Sequence, residues 1–365
     1  MKSAIKKFLP ANLLRSLKSI KIYFNYIFLR IASSSKLTAN LHYIASNEFS
    51  AEHQSVLKGR AAYNRSLRYG GKINSLLRRN IHRLEKGLIM KPRKNVFAES
   101  FILETVDSLT LALKNPEIQT DEIKWATDVL NEYFSAVQMT PIIKEARDKF
   151  IFIDRKELQL TEVYSILPSP NSKFSPYQHQ SLSKAKMDFD ALKSLIVRRR
   201  SVRWYKEISV PPELVMQAAN YASLAPSACN RQPYRFLFCN NKERARDIAK
   251  CAGGTSGFAD NLQSIIVVLG DLSAYQFERD RHLIYIDASL GSMQLILCLE
   301  SLGLSSCSIN WPEVEASEKR IRSIINLKDH ERVIMLLAVG YADPEGQVPF
   351  SQKKINESIL EDISI

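Results

Sequence analysis

The second half of the sequence contains a short basic motif whose side chains could bind a phosphate group. It reads RRSVR and comprises Arg199, Arg200, Ser201 and Arg203 at the end of a helical pattern. Guanidinium groups match phosphate oxygens with paired donors, and a serine hydroxyl adds a neutral donor. A basic cluster by itself is also typical of a solvated helix end, so other motifs must support the phosphate interpretation.

A second motif, APSACNRQPYRF over Ala225–Phe236, could bind the edge of a heteroaromatic ring. Asn230 and Gln232 each carry a donor and an acceptor on one planar amide, which suits a ring edge that alternates acceptors and donors. Pro226 and Pro233 restrict φ and would hold these amides in one pose. The alternative is an ordinary loop from a helix to a strand, and the motif alone does not separate the two.

The order of these motifs resembles that of the FMN-dependent nitroreductase family over about residues 190–365. Tyr234 stands where the family more often has Trp, and a G-L-x-S segment follows at Gly303, with a basic pair near the C-terminus. The resemblance implies FMN as cofactor, with the phosphate on the arginine cluster and the flavin ring on the later motifs. The cofactor-binding residues it implies are Arg199, Arg200, Ser201, Arg203, Pro226, Ser227, Ala228, Asn230, Gln232, Gly303, Leu304, Ser305, Lys353 and Lys354.

The implied activity is reduction of an acceptor, such as a nitro compound or a quinone, with NAD(P)H in two alternating half-reactions. Flavin chemistry is carried by the cofactor, so no catalytic side chain is expected. No metal site is expected either, because the five cysteines form no CxxC pair and only His282 and His330 lie in the same half. The resemblance also implies a homodimer whose flavin sites are shared between subunits.

Two alternatives stay open at this point. One is a flavin-binding scaffold or regulatory protein without turnover, which the long N-terminal extension favours. The other is a membrane-tethered reductase of a cell-envelope or polysaccharide biosynthetic pathway. Steady NAD(P)H consumption would separate an enzyme from a scaffold.

The extension is strongly basic, whereas the rest of the chain is nearly neutral. Residues 1–100 hold 20 Lys and Arg against four Asp and Glu, and the whole chain has a net charge of +13. Residues 1–47 contain no acid, and their apolar residues recur at helical spacing. This pattern predicts a basic amphipathic helix that either lies in a membrane interface or packs on the protein body. Nucleic-acid binding is not expected, because no recognition motif accompanies the charge.

The predicted fold class is α+β, with a mixed or antiparallel sheet flanked by helices around a long buried helix. Strands are predicted at Phe236–Cys239, Ile265–Gly270, Leu304–Ile309 and Val333–Tyr341, and the long helix near Arg281–Leu302. The predicted domains are the basic helix (1–47), a helical region (48–163), a Ser/Pro-rich linker (164–189) and the FMN-binding domain (190–365). Unpaired cysteines and the lack of a signal sequence or an 18-residue apolar run predict a cytoplasmic protein, at most peripheral on the inner face of the membrane.

Overall fold

The computed structural model describes residues 10–69, 74–116, 118–153, 166–167, 173–354 and 359–364. These residues form two compact units, Met1–Gln54 and Ser55–Ile365. The helices of the described residues are α1 (Ala11–Ala32), α2 (Lys36–Ser46), α3 (Ser50–Tyr69), α4 (Ser75–Leu88), α5 (Ile102–Leu113), α6 (Thr120–Ala136), α7 (Pro141–Ile151), α8 (Phe189–Arg198), α9 (Pro212–Ala222), α10 (Lys242–Ala249), α11 (Leu283–Ser301) and α12 (Glu315–Ile324). The strands are β1 (Tyr234–Cys239), β2 (Ser264–Asp271), β3 (Ser305–Asn310) and β4 (Glu331–Gly340).

The first unit contains α1 and α2, so the described part of the predicted 1–47 helix is two helices. The break falls at the three serines 33–35, and residues 1–9 lie outside the described residues. The Ser35 side chain accepts a hydrogen bond from the Thr38 backbone, and the Thr38 side chain accepts one from the Ser35 backbone. This reciprocal cap starts a new helix at Lys36. Large apolar side chains of α1, including Ile20, Phe24 and Ile31, are more than half exposed.

Helices α4 to α7, here called the helical region, bury a core of their own. Leu77, Ile81 and Leu109 are fully buried within it. Asn74 caps α4 by accepting a hydrogen bond from the backbone of Leu77, and Thr140 caps α7 in the same way, with Pro141 in its first turn. The helical region and the α+β part fall in one compact unit although each has its own core. The domain boundary at 164–189 stays a prediction.

The α+β fold is confirmed, with a four-stranded antiparallel sheet in the order β1-β2-β4-β3. Alternate residues of β2 point to opposite faces, as strand geometry requires. Ile265 and Val267 join a core under α10 and α12, whereas Ile266 and Val268 join a core under α9 and α11. Each predicted strand is present to within two residues of its predicted ends.

The long helix α11 lies at the centre of the second of these cores, as predicted. Ala288, Leu295 and Leu299 are fully buried, and Gly291 packs against the ring of Tyr234 on β1. One stretch of the described chain, Glu278–Ser301, is long and apolar enough to cross a membrane by length and composition alone. This stretch includes α11, which packs against the sheet, and a helix buried in the core of a domain has the same length and composition.

Candidate functional site

The arginine cluster lies beside the start of β3. Helix α8 ends at Arg198, whose Nε is 3.1 Å from the Glu300 carboxylate near the end of α11. Beyond it, Ser201 forms a parallel bridge with Ser306, and the Val202 backbone N–H donates to the Ser306 carbonyl at 3.1 Å. The structure therefore brings the RRSVR motif together with the Gly303–Ser305 segment, which is 100 residues later in the chain.

The guanidinium groups of this cluster have no carboxylate partner among the residues that the structure describes. Arg203 makes a long hydrogen bond of 3.4 Å to the Ser201 carbonyl and lies over the Phe258 ring. Arg200 donates to the Pro349 carbonyl at 2.8 Å and so holds the C-terminal segment near the cluster. Lys353 and Lys354 lie further along this segment and are exposed. Such cationic donors without acidic partners form an anion-binding environment.

Gly303 forms the turn between α11 and β3. Its φ of +79° lies in the left-handed region, which glycine adopts without strain. The Leu304 N–H donates to the Leu299 carbonyl at 2.9 Å, Leu304 is fully buried, and Ser305 begins β3. The turn thus fixes the backbone of all three predicted residues beside the arginine cluster.

The second motif forms a loop with an unusual backbone, here called the Asn–Gln loop (residues 225–233). Cys229, Asn230 and Gln232 have φ values of +54°, +50° and +49°. A positive φ is uncommon for residues other than glycine, and each costs on the order of 1 kcal/mol or more. Such a conformation persists only where surrounding contacts hold it, and backbone of this kind is concentrated at functional sites.

One set of contacts that holds the Asn–Gln loop comes from α11. The carboxylate of Asp287, which is 2% exposed, accepts a hydrogen bond from the Ala228 N–H at 2.9 Å. Burial raises the pKa of Asp287, while the Ala228 N–H and the charge of Arg231 oppose that rise. Asp287 could not be assigned from the sequence; the available signal was an acid within the first two turns of a largely apolar helix.

A second set comes from the helical region, through Arg78 on α4. Its Nε donates to the Asn230 carbonyl and its Nη2 to the Gln232 side-chain oxygen, both at 2.9 Å. Its Nη1 donates to Glu122 on α6 at 3.1 Å. The Gln232 amide nitrogen donates in turn to the Ser223 carbonyl at 2.6 Å. Both polar atoms of the Gln232 amide are thus bound to protein groups, which fixes the loop, and the predicted contact of Gln232 with the cofactor stays a prediction.

A cavity of about 700 Å³ lies between the helical region and the Asn–Gln loop, and we call it the loop cavity. Its loop side includes Pro226, Ser227, Asn230 and Gln232. A further part of the wall is formed by Lys173, Phe174, Ser175 and Tyr177. Sequence reasoning gave no indication of this cavity, because its walls are far apart in the chain. Its opposite side is formed by residues of α4 and α6, namely Arg78, His82, Glu85, Asp121, Glu122 and Trp125.

The sheet and helices define an α+β domain, and comparison with known proteins identifies its family. Residues 196–256 and 250–341 match the family model described as "Nitroreductase family". The C-terminal half of this chain is a nitroreductase-family domain, and the N-terminal extension lies outside the matches. The predicted family is therefore confirmed for that half.

Individual relatives match the same half at low identity. An NADH dehydrogenase of Thermus thermophilus is 26% identical over 185 residues, covering 42% of this chain and 88% of the relative. An iodotyrosine deiodinase of Thermotoga neapolitana is 26% identical over 176 residues, covering 43% and 92%. A solved FMN-dependent nitroreductase of Clostridium difficile is 26% identical and covers 46% of this chain and 93% of its own, with a TM-score of 0.37.

Proposed function

We propose that this protein is an FMN-dependent oxidoreductase that uses NAD(P)H to reduce an oxidised acceptor such as a quinone or a nitro compound. With a quinone, NAD(P)H and one proton would yield NAD(P)⁺ and the hydroquinone. The proposal rests on the arginine cluster, whose guanidinium groups have no carboxylate partner in the described chain. A backbone bridge from Ser201 to Ser306 holds this cluster beside the Gly303 turn. The names of the relatives, an NADH dehydrogenase and a deiodinase, agree with a redox role.

The residues of the cluster fit the phosphate end of FMN. Arg199 and Arg203 would supply charged donors and Ser201 a neutral one, with Arg200, Lys353 and Lys354 adding positive charge. Gly303, Leu304 and Ser305 would present backbone groups, and Pro226, Ser227, Ala228 and Asn230 would meet the ring. When bound, FMN would supply the acceptance and donation of two electrons. The chain's own residues would bind the phosphate and keep the Asn–Gln loop in one pose.

We further propose that the functional unit is a homodimer in which each FMN contacts both subunits. The Asn–Gln loop is attached to α11 at Asp287, whereas the arginine cluster lies next to the end of the same helix. Asp287 and Ser301 are separated by about 21 Å along the helix at 1.5 Å per residue. Two motifs for one cofactor at opposite ends of a helix favour a site that a second copy completes. Ile286, Leu290 and Met293, at helical spacing on α11, are each more than 40% exposed and offer an apolar surface for that copy.

The test of the enzyme proposal is purification of the full chain followed by its visible spectrum and an NAD(P)H oxidation assay. We expect bound FMN and steady NADH or NADPH consumption with a quinone or nitroaromatic acceptor. Arg203→Gln should weaken FMN binding at least tenfold by removing a phosphate contact, whereas Arg147→Gln on the exposed side of α7 should not change it. A chain that binds no added FMN would refute the proposal. Bound FMN without turnover would instead establish the scaffold function.

We also propose that α1 and α2 attach the protein to an anionic membrane surface. The described part of residues 1–47 carries exposed apolar side chains and basic residues and no acid. Apolar insertion together with basic residues is the combination that binds anionic lipid. In a flotation assay with vesicles containing phosphatidylglycerol, the full chain should float and a chain lacking residues 1–47 should not. Equal flotation of the two chains would refute this attachment.

A further inference from the structure

We propose that the loop cavity binds the acceptor ring, and that the helical region selects neutral acceptors over anionic ones. This inference rests on the proposed function, because it assigns an acceptor site to an FMN enzyme. Pro226, Ser227 and Asn230 line the cavity and also belong to the loop expected to meet the flavin ring. A molecule in the cavity would therefore lie next to the cofactor. The opposite wall lies outside the segments matched by the family model.

An indole ring held in a fixed orientation lines the cavity. Trp125 Nε1 donates to the Glu85 carboxylate at 2.9 Å, and the Arg78 guanidinium lies 5.4 Å from the centre of the Trp125 rings. His82 Nδ1 is 3.5 Å from the other Glu85 oxygen. A fixed aromatic side chain on a cavity wall is suited to contact with a planar ring, by offset stacking or edge to face. Quinones and nitroarenes are planar and electron-poor, and an electron-rich indole is a favourable neighbour for them.

The charges around the cavity disfavour an anion. Apart from the Arg78–Glu122 pair, two carboxylates line it, Glu85 and Asp121, against one permanent cation, Lys173. The Arg78 guanidinium is already bound to Glu122, Asn230 and Gln232, so it has little capacity left for a ligand. A carboxylate on the acceptor would therefore bring a like charge next to a wall with more carboxylates than cations.

Glu122 adds an unusual electrostatic feature to the wall. Its side chain is 12% exposed, and its Oε1 has no hydrogen-bond partner among the described residues. Burial raises the pKa of Glu122, and the neighbouring Arg78 opposes that rise. A buried carboxyl oxygen without a partner is costly, so its presence at a cavity is typical of a binding site rather than of a packed core.

The test compares two probes of nearly equal shape, 4-nitrobenzamide and 4-nitrobenzoate, by calorimetric titration into the oxidised FMN-bound protein. We expect the amide to bind at least about tenfold more tightly than the carboxylate. Asp121→Asn should narrow the ratio of the two dissociation constants several-fold. Trp125→Leu should weaken binding of the amide about five- to tenfold. Glu132→Gln, on the same helix but not on the cavity wall, should leave the ratio unchanged.

The result that overturns the inference is also specific. If the FMN-bound protein oxidises NAD(P)H but Asp121→Asn and Trp125→Leu bind both probes as the wild type does, the acceptor binds elsewhere and the proposed function stands. A protein without FMN or turnover refutes the proposed function instead. The Michaelis constants for the two probes should follow the same order as their dissociation constants.

Discussion

Arg78 is the residue through which the helical region reaches the Asn–Gln loop. One guanidinium donates to the Asn230 carbonyl and the Gln232 side-chain oxygen, which both belong to the Asn–Gln loop, and to the Glu122 carboxylate on α6. Lys could not reproduce this planar set of donors. The side chains of Arg78 and Glu122 are 15% and 12% exposed, so removal of either leaves its partner poorly solvated.

We expect Arg78→Ala to destabilise the protein by about 3 kcal/mol, because it leaves the Glu122 carboxyl buried without its cation. Arg78→Lys should be intermediate, and Arg147→Ala on an exposed helix face should stay within about 0.5 kcal/mol of the wild type. Urea denaturation followed by circular dichroism measures these differences. An Arg78→Ala protein as stable as the Arg147→Ala control would contradict the assigned role.

Asp287 gives a prediction about pH. Burial raises the pKa of this carboxyl in the folded state, so between its ordinary value of about 3.9 and the raised value the folded chain holds a proton that the unfolded chain has lost. The stability contributed by Asp287 should therefore fall as pH rises above about 4. Asp287→Asn keeps an acceptor for the Ala228 N–H and removes the titration. In urea titrations from pH 4 to 7, the variant should gain stability relative to the wild type as pH rises. A difference in the free energy of unfolding that stays constant with pH would show that Asp287 does not titrate in this way.

At the scale of elements, structure that depends on neighbouring residues could be predicted from the sequence. Contacts between residues that lie far apart in the chain could not. Apolar runs such as Ile265–Gly270 predicted the strands, because a central strand buries both faces. Residues 225–236 predicted a ring-binding loop only in combination with the arginine cluster and the Gly303 segment, because their own residue types also fit an ordinary loop. Arg78 lies 152 residues before its acceptor Asn230, within a dense basic stretch that does not reveal which arginine turns inward. The loop cavity was missed for the same reason, since it exists only after α4 and α6 pack on the loop.

The contact between α11 and β1 depends on Gly291. A Cβ at this position would lie 2.8 Å from the Tyr234 ring, which is too close for packed atoms. We expect Gly291→Ala to cost about 1–3 kcal/mol and to weaken FMN binding, because Tyr234 directly follows the Asn–Gln loop. Gly257→Ala is the matched control, since a Cβ at Gly257 would have no atom of the described chain within 4 Å. Thermal unfolding and FMN titration would measure both effects, and equal behaviour of the two variants would contradict this packing role.

For the whole molecule, α11 connects the two halves of the proposed cofactor site and also carries an exposed apolar surface. Ile286, Leu290 and Met293 are 53%, 45% and 43% exposed on a helix whose opposite side is fully buried. A helix that is apolar all round is typically covered on all sides. The loop at one end of α11 and the arginine cluster at the other would each complete a different cofactor site if a second copy covered this surface.

Leu290→Glu tests this arrangement, because a charge at the centre of an apolar interface would be desolvated without a partner. By light scattering after size-exclusion chromatography, the wild type should be a dimer and the variant a monomer. The monomer should also bind FMN at least tenfold more weakly, since each site would lose the other subunit's loop. Ile151→Glu places the same charge at an equally exposed apolar residue of the helical region and should leave both properties unchanged. A monomeric Leu290→Glu protein with wild-type FMN affinity would show that one chain forms the whole site.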